Sequence, residues 1–113
     1  VNVVVGKALG TAAIAMNSKA IGADMTFAWP DAQIGTMEGK LAAKIMYDGQ
    51  GADVINEKAA EYDALTCSAG SAARRGYVDS IVEPADTRKY VIGAFEMLFT
   101  KSEDRPAKKH GTV

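Results

Sequence analysis

Side chains that could attack, ligate or shuttle protons are scarce in this chain of 113 residues. His110 is the sole histidine and Cys67 the sole cysteine. They stand far apart, and no serine sits in a nucleophile-elbow context, so a catalytic triad and a zinc site both fail on inventory. Cys67 reads more simply as a small, partly buried residue at a helix end. Gly39-Lys40 would close a phosphate-binding loop only with glycine at position 34 and serine or threonine at 41, where Ile34 and Leu41 stand. Gly49-Gln50-Gly51 lacks the third glycine of a dinucleotide fingerprint, because Val54 occupies that place and no strand leads in. Glu57, Lys58 and Glu61 are spaced as on a solvated helix face. Chemistry done by this chain is therefore expected of its backbone, without a metal.

The one backbone site is Gly10-Thr11-Ala12. A helix opening here leaves its first N–H groups without intrahelical acceptors, and the helix dipole favours negative charge beside them. Small or permissive residues in the turn let an oxygen approach the Thr11 and Ala12 amides as an oxyanion hole requires. Two plainer readings stand beside it: small residues for close helix packing, and Thr11 as an ordinary cap.

The elements that would position this turn follow from periodicity. Val1 to Val5 reads as a mostly buried strand, Gly6 to Gly10 as a turn, and Thr11 to Ala20 as a buried helix ended by Gly22. Thr26 to Trp29 and Ala32 to Gly35 read as short strands around Pro30-Asp31. A helix is expected from Met37 to Tyr47, with Met37, Leu41 and Ile45 on one face. A second runs from Val54 to Thr66, with Asp53 as N-cap and Ile55, Ala59, Tyr62 and Leu65 as its stripe. A short helix over Ser71 to Arg75 ends at Gly76, Tyr77 to Val82 suits a strand, and Pro84 and Asp86 open a last helix to about Thr100. Val91, Ala94, Phe95 and Leu98 are its inward set. Residues 100–113 read as an extended, basic tail. Short strands each followed by helix give an α/β class.

Composition bounds the partners. With 13 basic against 14 acidic side chains the chain lacks the cationic excess of a nucleic-acid binder. A lone cysteine excludes a disulfide scaffold and favours the cytoplasm. Alanine supplies 20 of the apolar residues and glycine adds 11, leaving 34 larger apolar side chains. Such a chain builds a thin core, and its opening on a strand without a lead-in adds to the expectation that it is the C-terminal piece of something larger.

Four blocks resemble a known family. They are Lys7-Ala8-Leu9-Gly10-Thr11-Ala12 running into Ala15-Met16-Asn17-Ser18-Lys19; Gly22-Ala23-Asp24-Met25 with Phe27-Ala28-Trp29-Pro30-Asp31-Ala32-Gln33-Ile34; Ala73-Arg74-Arg75-Gly76-Tyr77-Val78-Asp79 with Pro84 and Thr87-Arg88; and Arg105-Pro106-Ala107-Lys108-Lys109-His110-Gly111. In order and spacing they resemble the C-terminal part of the carboxyltransferase subunit of biotin-dependent acyl-CoA carboxylases and decarboxylases, the group with propionyl-CoA carboxylase beta chains and methylmalonyl-CoA decarboxylase alpha chains.

The resemblance implies a crotonase-like fold of strand-strand-helix turns. Residues 1–113 would be the C-terminal portion of the second of two subdomains, the first holding acyl-CoA and the second receiving biotin. It implies carboxyl transfer between biotin, as carboxybiotin on a biotin carboxyl carrier protein, and an acyl-CoA. The N-terminal carboxyltransferase half and further copies of the subunit would complete an active site at a dimer interface, in some members within a membrane decarboxylase complex. Thr11 and Ala12 match the backbone amides that face the biotin ureido oxygen, and Gly10, Ala28, Trp29 and Pro30 match the biotin-side turn and pocket wall. Two departures stand out: many members carry glycine at the place of Thr11, and Met37-Glu38-Gly39 replaces a Met-Gly-Ala type turn. The competing reading is a non-catalytic crotonase-like module that holds a partner chain.

Overall fold

The computed structural model describes residues 1–104. Its strands are β1 (Asn2–Val4), β2 (Lys7–Leu9), β3 (Thr26–Ala28), β4 (Gln33–Gly35) and β5 (Ser80–Ile81); its helices are α1 (Thr11–Ala15), α2 (Gly39–Met46), α3 (Ala52–Tyr62), α4 (Ala69–Arg74) and α5 (Thr87–Met97). Short 3-10 turns occupy Lys19–Ile21 and Pro84–Asp86, and a π-helical segment, Asp63–Cys67, joins α3 to α4.

All strand pairing within the two sheets is parallel. One sheet has the order β1-β3-β5, with Asn2 opposite Thr26 and Phe27 opposite Ser80. The other is the pair β2-β4, with Leu9 opposite Gly35. Trp29 N donates to Val4 O at 3.0 Å and Gln33 N to Gly6 O at 3.1 Å, so hydrogen bonding runs on through the bend from the first sheet to the second. The unit strand-strand-helix thus occurs twice, as β1-β2-α1 and β3-β4-α2.

Small side chains make the interior. Of the 13 buried apolar residues among those described, nine are alanines. One cluster gathers Ala28, Ala32, Ala69, Ala72 and Val78, and a second gathers Phe27, Val82 and Ala94 beneath α5. Such a core covers little area. Ile14, Met16, Leu41, Ile45, Leu65, Phe95 and Phe99 are all more than half exposed.

Several expectations from the sequence are corrected here. The helix from Thr11 stops after five residues because Asn17 takes the left-handed conformation, φ 62°, and its carbonyl accepts from Asn2 Nδ2 at 3.0 Å. It is exposed rather than buried. On α2 the face with Leu41 and Ile45 points to solvent, while Gly39, Ala42 and Ala43 turn inward to let α3 approach closely. Gly51, not Asp53, is the N-cap of α3, and Asp53 lies in the first turn, where its charge suits the helix dipole. Leu65 falls in the π segment and is carried off the stripe of α3 into solvent. The strand expected over Tyr77 to Val82 shrinks to Ser80–Ile81 because Tyr77 is used to end α4: Tyr77 N donates to Ala72 O and Gly76 N to Ala73 O around a left-handed Gly76, φ 81°. The last helix begins at Thr87 and ends at Met97, with Ala94 buried but Phe95 exposed. Lys101 at the start of the basic tail pairs with Asp24 at 2.6 Å, and residues 105–113, with the fourth sequence block, lie outside the described residues.

Asp79 fastens β5 to β3. Its backbone N donates to Thr26 O at 2.8 Å, its carboxylate accepts from Thr26 N at 2.8 Å, and Lys19 Nζ donates to both carboxylate oxygens at 2.7 and 2.5 Å. The Lys19 hydrogen bond, opposed in part by desolvation and aided by the Thr26 amide, holds the Asp79 carboxyl below its ordinary range. A depressed folded-state pKa adds stability above the unfolded value of ~3.9, and that stability is lost as pH falls through the folded value. Asp79→Asn should therefore lower the unfolding free energy at pH 7 by ~1 kcal/mol. The gap to wild type should narrow below pH ~4 in urea melts taken across pH.

Glycine substitutions read the packing directly. A Cβ on Gly39 would come within 2.6 Å of Asp63 Cγ and closer still to the Ala59 carbonyl, whereas one on Gly93 in α5 would meet nothing within 4 Å. Gly39→Ala should destabilise by ~1–3 kcal/mol. Gly93→Ala should stabilise by ~0.5–1 kcal/mol, both measured by thermal unfolding. The exposed apolar side chains give a further expectation for the isolated chain, namely binding of a hydrophobic dye or self-association on size exclusion; a dye-silent monomer would contradict it.

Candidate functional site

The Gly10 turn is built by the β2-β4 pair. The ladder ends with Leu9 opposite Gly35, and Gly10 N then donates to Gly35 O at 3.0 Å. Gly10 has φ 63° and ψ −137°, a conformation that residues with a side chain avoid. This reversal starts α1 immediately, placing Thr11 and Ala12 in its first two positions, where N–H groups have no acceptor within the helix. No side chain caps α1, and Thr11 and Ala12 are both exposed. With only five residues in α1 the dipole contribution is small, so attraction for a negative oxygen comes from the two local amides themselves.

The loop between β4 and α2 packs beside that turn. The Thr36 carbonyl lies 3.5 Å from where a Gly10 Cβ would stand. Asp63 Oδ1 accepts from Gly39 N at 2.9 Å, capping α2 from the π segment. Cys67 is fully buried beneath Gly35, and its Sγ lies 3.6 Å from Met37 O as donor. Burial, with the Asp63 carboxylate as a further cause, pushes the Cys67 thiol up from its ordinary value, so it is a packed thiol and not a nucleophile.

Ala28, Trp29 and Pro30 occupy the bend between the sheets. Ala28 has no exposed surface and belongs to the alanine cluster. Trp29 is half-buried, its indole Nε1 donating to Thr87 Oγ1 at 2.9 Å, and Thr87 Oγ1 in turn donates to Glu83 O at 3.2 Å. Pro30 is exposed. The register sets Trp29 beside Val4, so β2 lies between this trio and Gly10. The structure brings Gly10, Thr11 and Ala12 together and leaves Ala28, Trp29 and Pro30 as a separate group at the other end of β2.

Asp63 and Cys67 were not legible as contributors to this region. Asp63 reads as one more acid on a solvated helix, and only the glycine at Gly39, needed where α2 meets α3, signals a close approach. Among the described residues, no three His, Cys, Asp or Glu side chains gather as metal ligands. Two surface clefts lie elsewhere, one between α2 and α3 around Tyr47 and Tyr62, the other between β3 and α5 around Phe27 and Tyr90.

Comparison with known proteins accounts for this arrangement. A family model described as the carboxyl transferase domain matches residues 1–113. The propionyl-CoA carboxylase beta chain of Saccharopolyspora erythraea is 44% identical over 123 residues, covering 100% of this chain and 22% of that protein. The methylmalonyl-CoA decarboxylase subunit alpha of Propionigenium modestum is 39% identical over 119 residues, covering 100% of this chain and 23% of that protein. The crystal structure of transcarboxylase 12S, a hexamer with methylmalonyl-CoA and methylmalonic acid bound, superposes with a TM-score of 0.87 at 41% identity, covering 97% of this chain and 22% of that one. The chain thus spans less than a quarter of the length of these relatives. Its strand-strand-helix units are part of the crotonase-like fold of the carboxyltransferases, and the chain belongs to the carboxyl transferase domain family.

Proposed function

We propose that this chain forms part of an acyl-CoA carboxyltransferase and supplies the backbone donors that face biotin. The observation that carries the reading is the Gly10 turn, which exposes two successive uncapped amides, within a chain matched along its whole length by the carboxyl transferase domain.

The turn fits the group. Gly10 removes a Cβ from the approach, and Thr11 and Ala12 add only small side chains beside N–H groups that lack helical acceptors. Biotin, when a carrier protein delivers it, supplies the ureido nitrogen that bears the carboxyl group. The Thr11 and Ala12 amides donate to an oxygen that gains negative charge in the transition state, a role that needs no titrating side chain and is typically worth ~3 kcal/mol of barrier per donor. The Thr11 methyl and hydroxyl narrow the approach from one side without removing the donor.

The trio at the bend acts at a distance from that turn. Ala28 and Trp29, one fully buried and one tied to Thr87, hold the wall in place, and exposed Pro30 is the member able to touch a ligand. The acyl-CoA is held by the N-terminal half of the complete subunit, and exposed Ile14, Met16, Leu41 and Ile45 provide apolar surface for other protein. That surface equally favours the second reading, a non-catalytic module that holds a partner chain. Further copies of the subunit complete the enzyme, as the hexameric relative suggests. No helix among the described residues is long and apolar enough to cross a membrane. We place the reaction in the cytoplasm, with any membrane decarboxylase complex contacting it peripherally.

Proline separates backbone from side chain. Thr11 is the first helical residue, where proline is structurally tolerated. In the complete enzyme, Thr11→Pro should lower kcat for carboxyl transfer ~10²–10³-fold, while Thr11→Ala stays near wild type. Unchanged turnover in the proline variant, with its fold verified by circular dichroism, would remove the amide from the mechanism and leave the assembly reading ahead.

A further inference from the structure

We propose that the π-helical segment Asp63–Cys67 is a clamp that fixes the geometry of the Gly10 turn, with Asp63 as its positioning residue. This rests on the reading of the Thr11 and Ala12 amides as oxyanion donors.

The segment and the residue after it hold the stretch from β4 to α2 at successive points. Asp63 Oδ1 accepts from Gly39 N at 2.9 Å. The Cys67 thiol reaches Met37 O at 3.6 Å, and its sulfur stands 2.9 Å from where a Gly35 Cβ would be. Ser68 then pairs with Gln33 in an isolated antiparallel bridge. The stretch from Gln33 to Gly39 is therefore fastened at both ends and in the middle by one short piece of chain.

That same stretch seats the turn. Gly35 O accepts the Gly10 amide, and Thr36 presents its carbonyl to the face of Gly10 that carries no side chain. Those carbonyls flank Gly10 in its unusual φ and ψ, and the Gly10 ψ sets the direction of the Thr11 amide, with the Ala12 amide following one helical residue on. An error of 1 Å in donor placement is enough to cost catalysis heavily. A π turn is rare and interrupts the regular helical ladder. Here it follows α3 directly, and Asp63 and Cys67, at its two ends, reach the loop while Leu65 between them faces solvent. Asp63 touches no reacting group in this account; it acts through Gly39 and the loop.

The test uses the complete carboxyltransferase with methylmalonyl-CoA as donor and free biotin as acceptor. Asp63→Ala should lower kcat about tenfold with KM for the acyl-CoA unchanged, and should speed hydrogen exchange of the Gly10 amide. Asp63→Asn, which keeps an oxygen able to accept from Gly39 N–H, should restore both. A folded Asp63→Ala enzyme with normal kcat and normal Gly10 protection overturns the proposal, as does an Asn variant no better than Ala. Should Asp63→Ala fail to fold, Cys67→Ala carries the same two readouts, and unchanged values there overturn it too. Thr11→Pro separates the failures: normal turnover in that variant sinks the oxyanion reading and the clamp's catalytic purpose with it. Loss of turnover there beside normal Asp63→Ala kinetics sinks the clamp alone.

Discussion

Close approach of one backbone to another is the constraint on which this structure depends. At Gly39 the start of α2 presses on the carbonyl of Ala59 and on the Asp63 carboxylate, and at Gly35 the sulfur of Cys67 occupies the space of a missing side chain. These contacts set the distance between α2 and α3, and through the β4-α2 loop they set the seat of Gly10. Large side chains would force the layers apart, which explains why alanines dominate the buried residues and why Leu41 and Ile45 are left outside.

The sequence showed much of the element order because turn residues and caps are local, but the stretch read as a turn over Gly6 to Gly10 is strand β2, which forms only by pairing with β4 far along the chain. Gly76 ends α4 and Pro84 introduces the last helix, each by local conformational preference. Facing was less legible. A four-residue spacing puts Met37, Leu41 and Ile45 on one side of a helix but does not say whether that side meets protein or water; here the small residues won the inside. The length of α1 was illegible for a related reason, since Asn17 leaves the helix in concert with a hydrogen bond from Asn2, fifteen residues earlier.

The candidate site divides in the same way. The Gly10 turn could be found because glycine before a run of small helix formers is a local pattern with a physical meaning. The parts that hold it could not, because Asp63 and Cys67 act across a long stretch of chain through a π segment that no periodicity announces. The crotonase-like fold implied by the resemblance is the one on which the chain superposes with transcarboxylase 12S.

Trp29, the chain's single tryptophan, joins the bend of the sheets to the first residue of α5 through Thr87. Its indole is the one strong fluorophore in the molecule, and it lies on the seam where α5 meets the sheet. Lifting α5 would break the indole hydrogen bond and wet the ring, shifting its emission to the red. The protein therefore carries its own optical gauge of whether its last helix is seated.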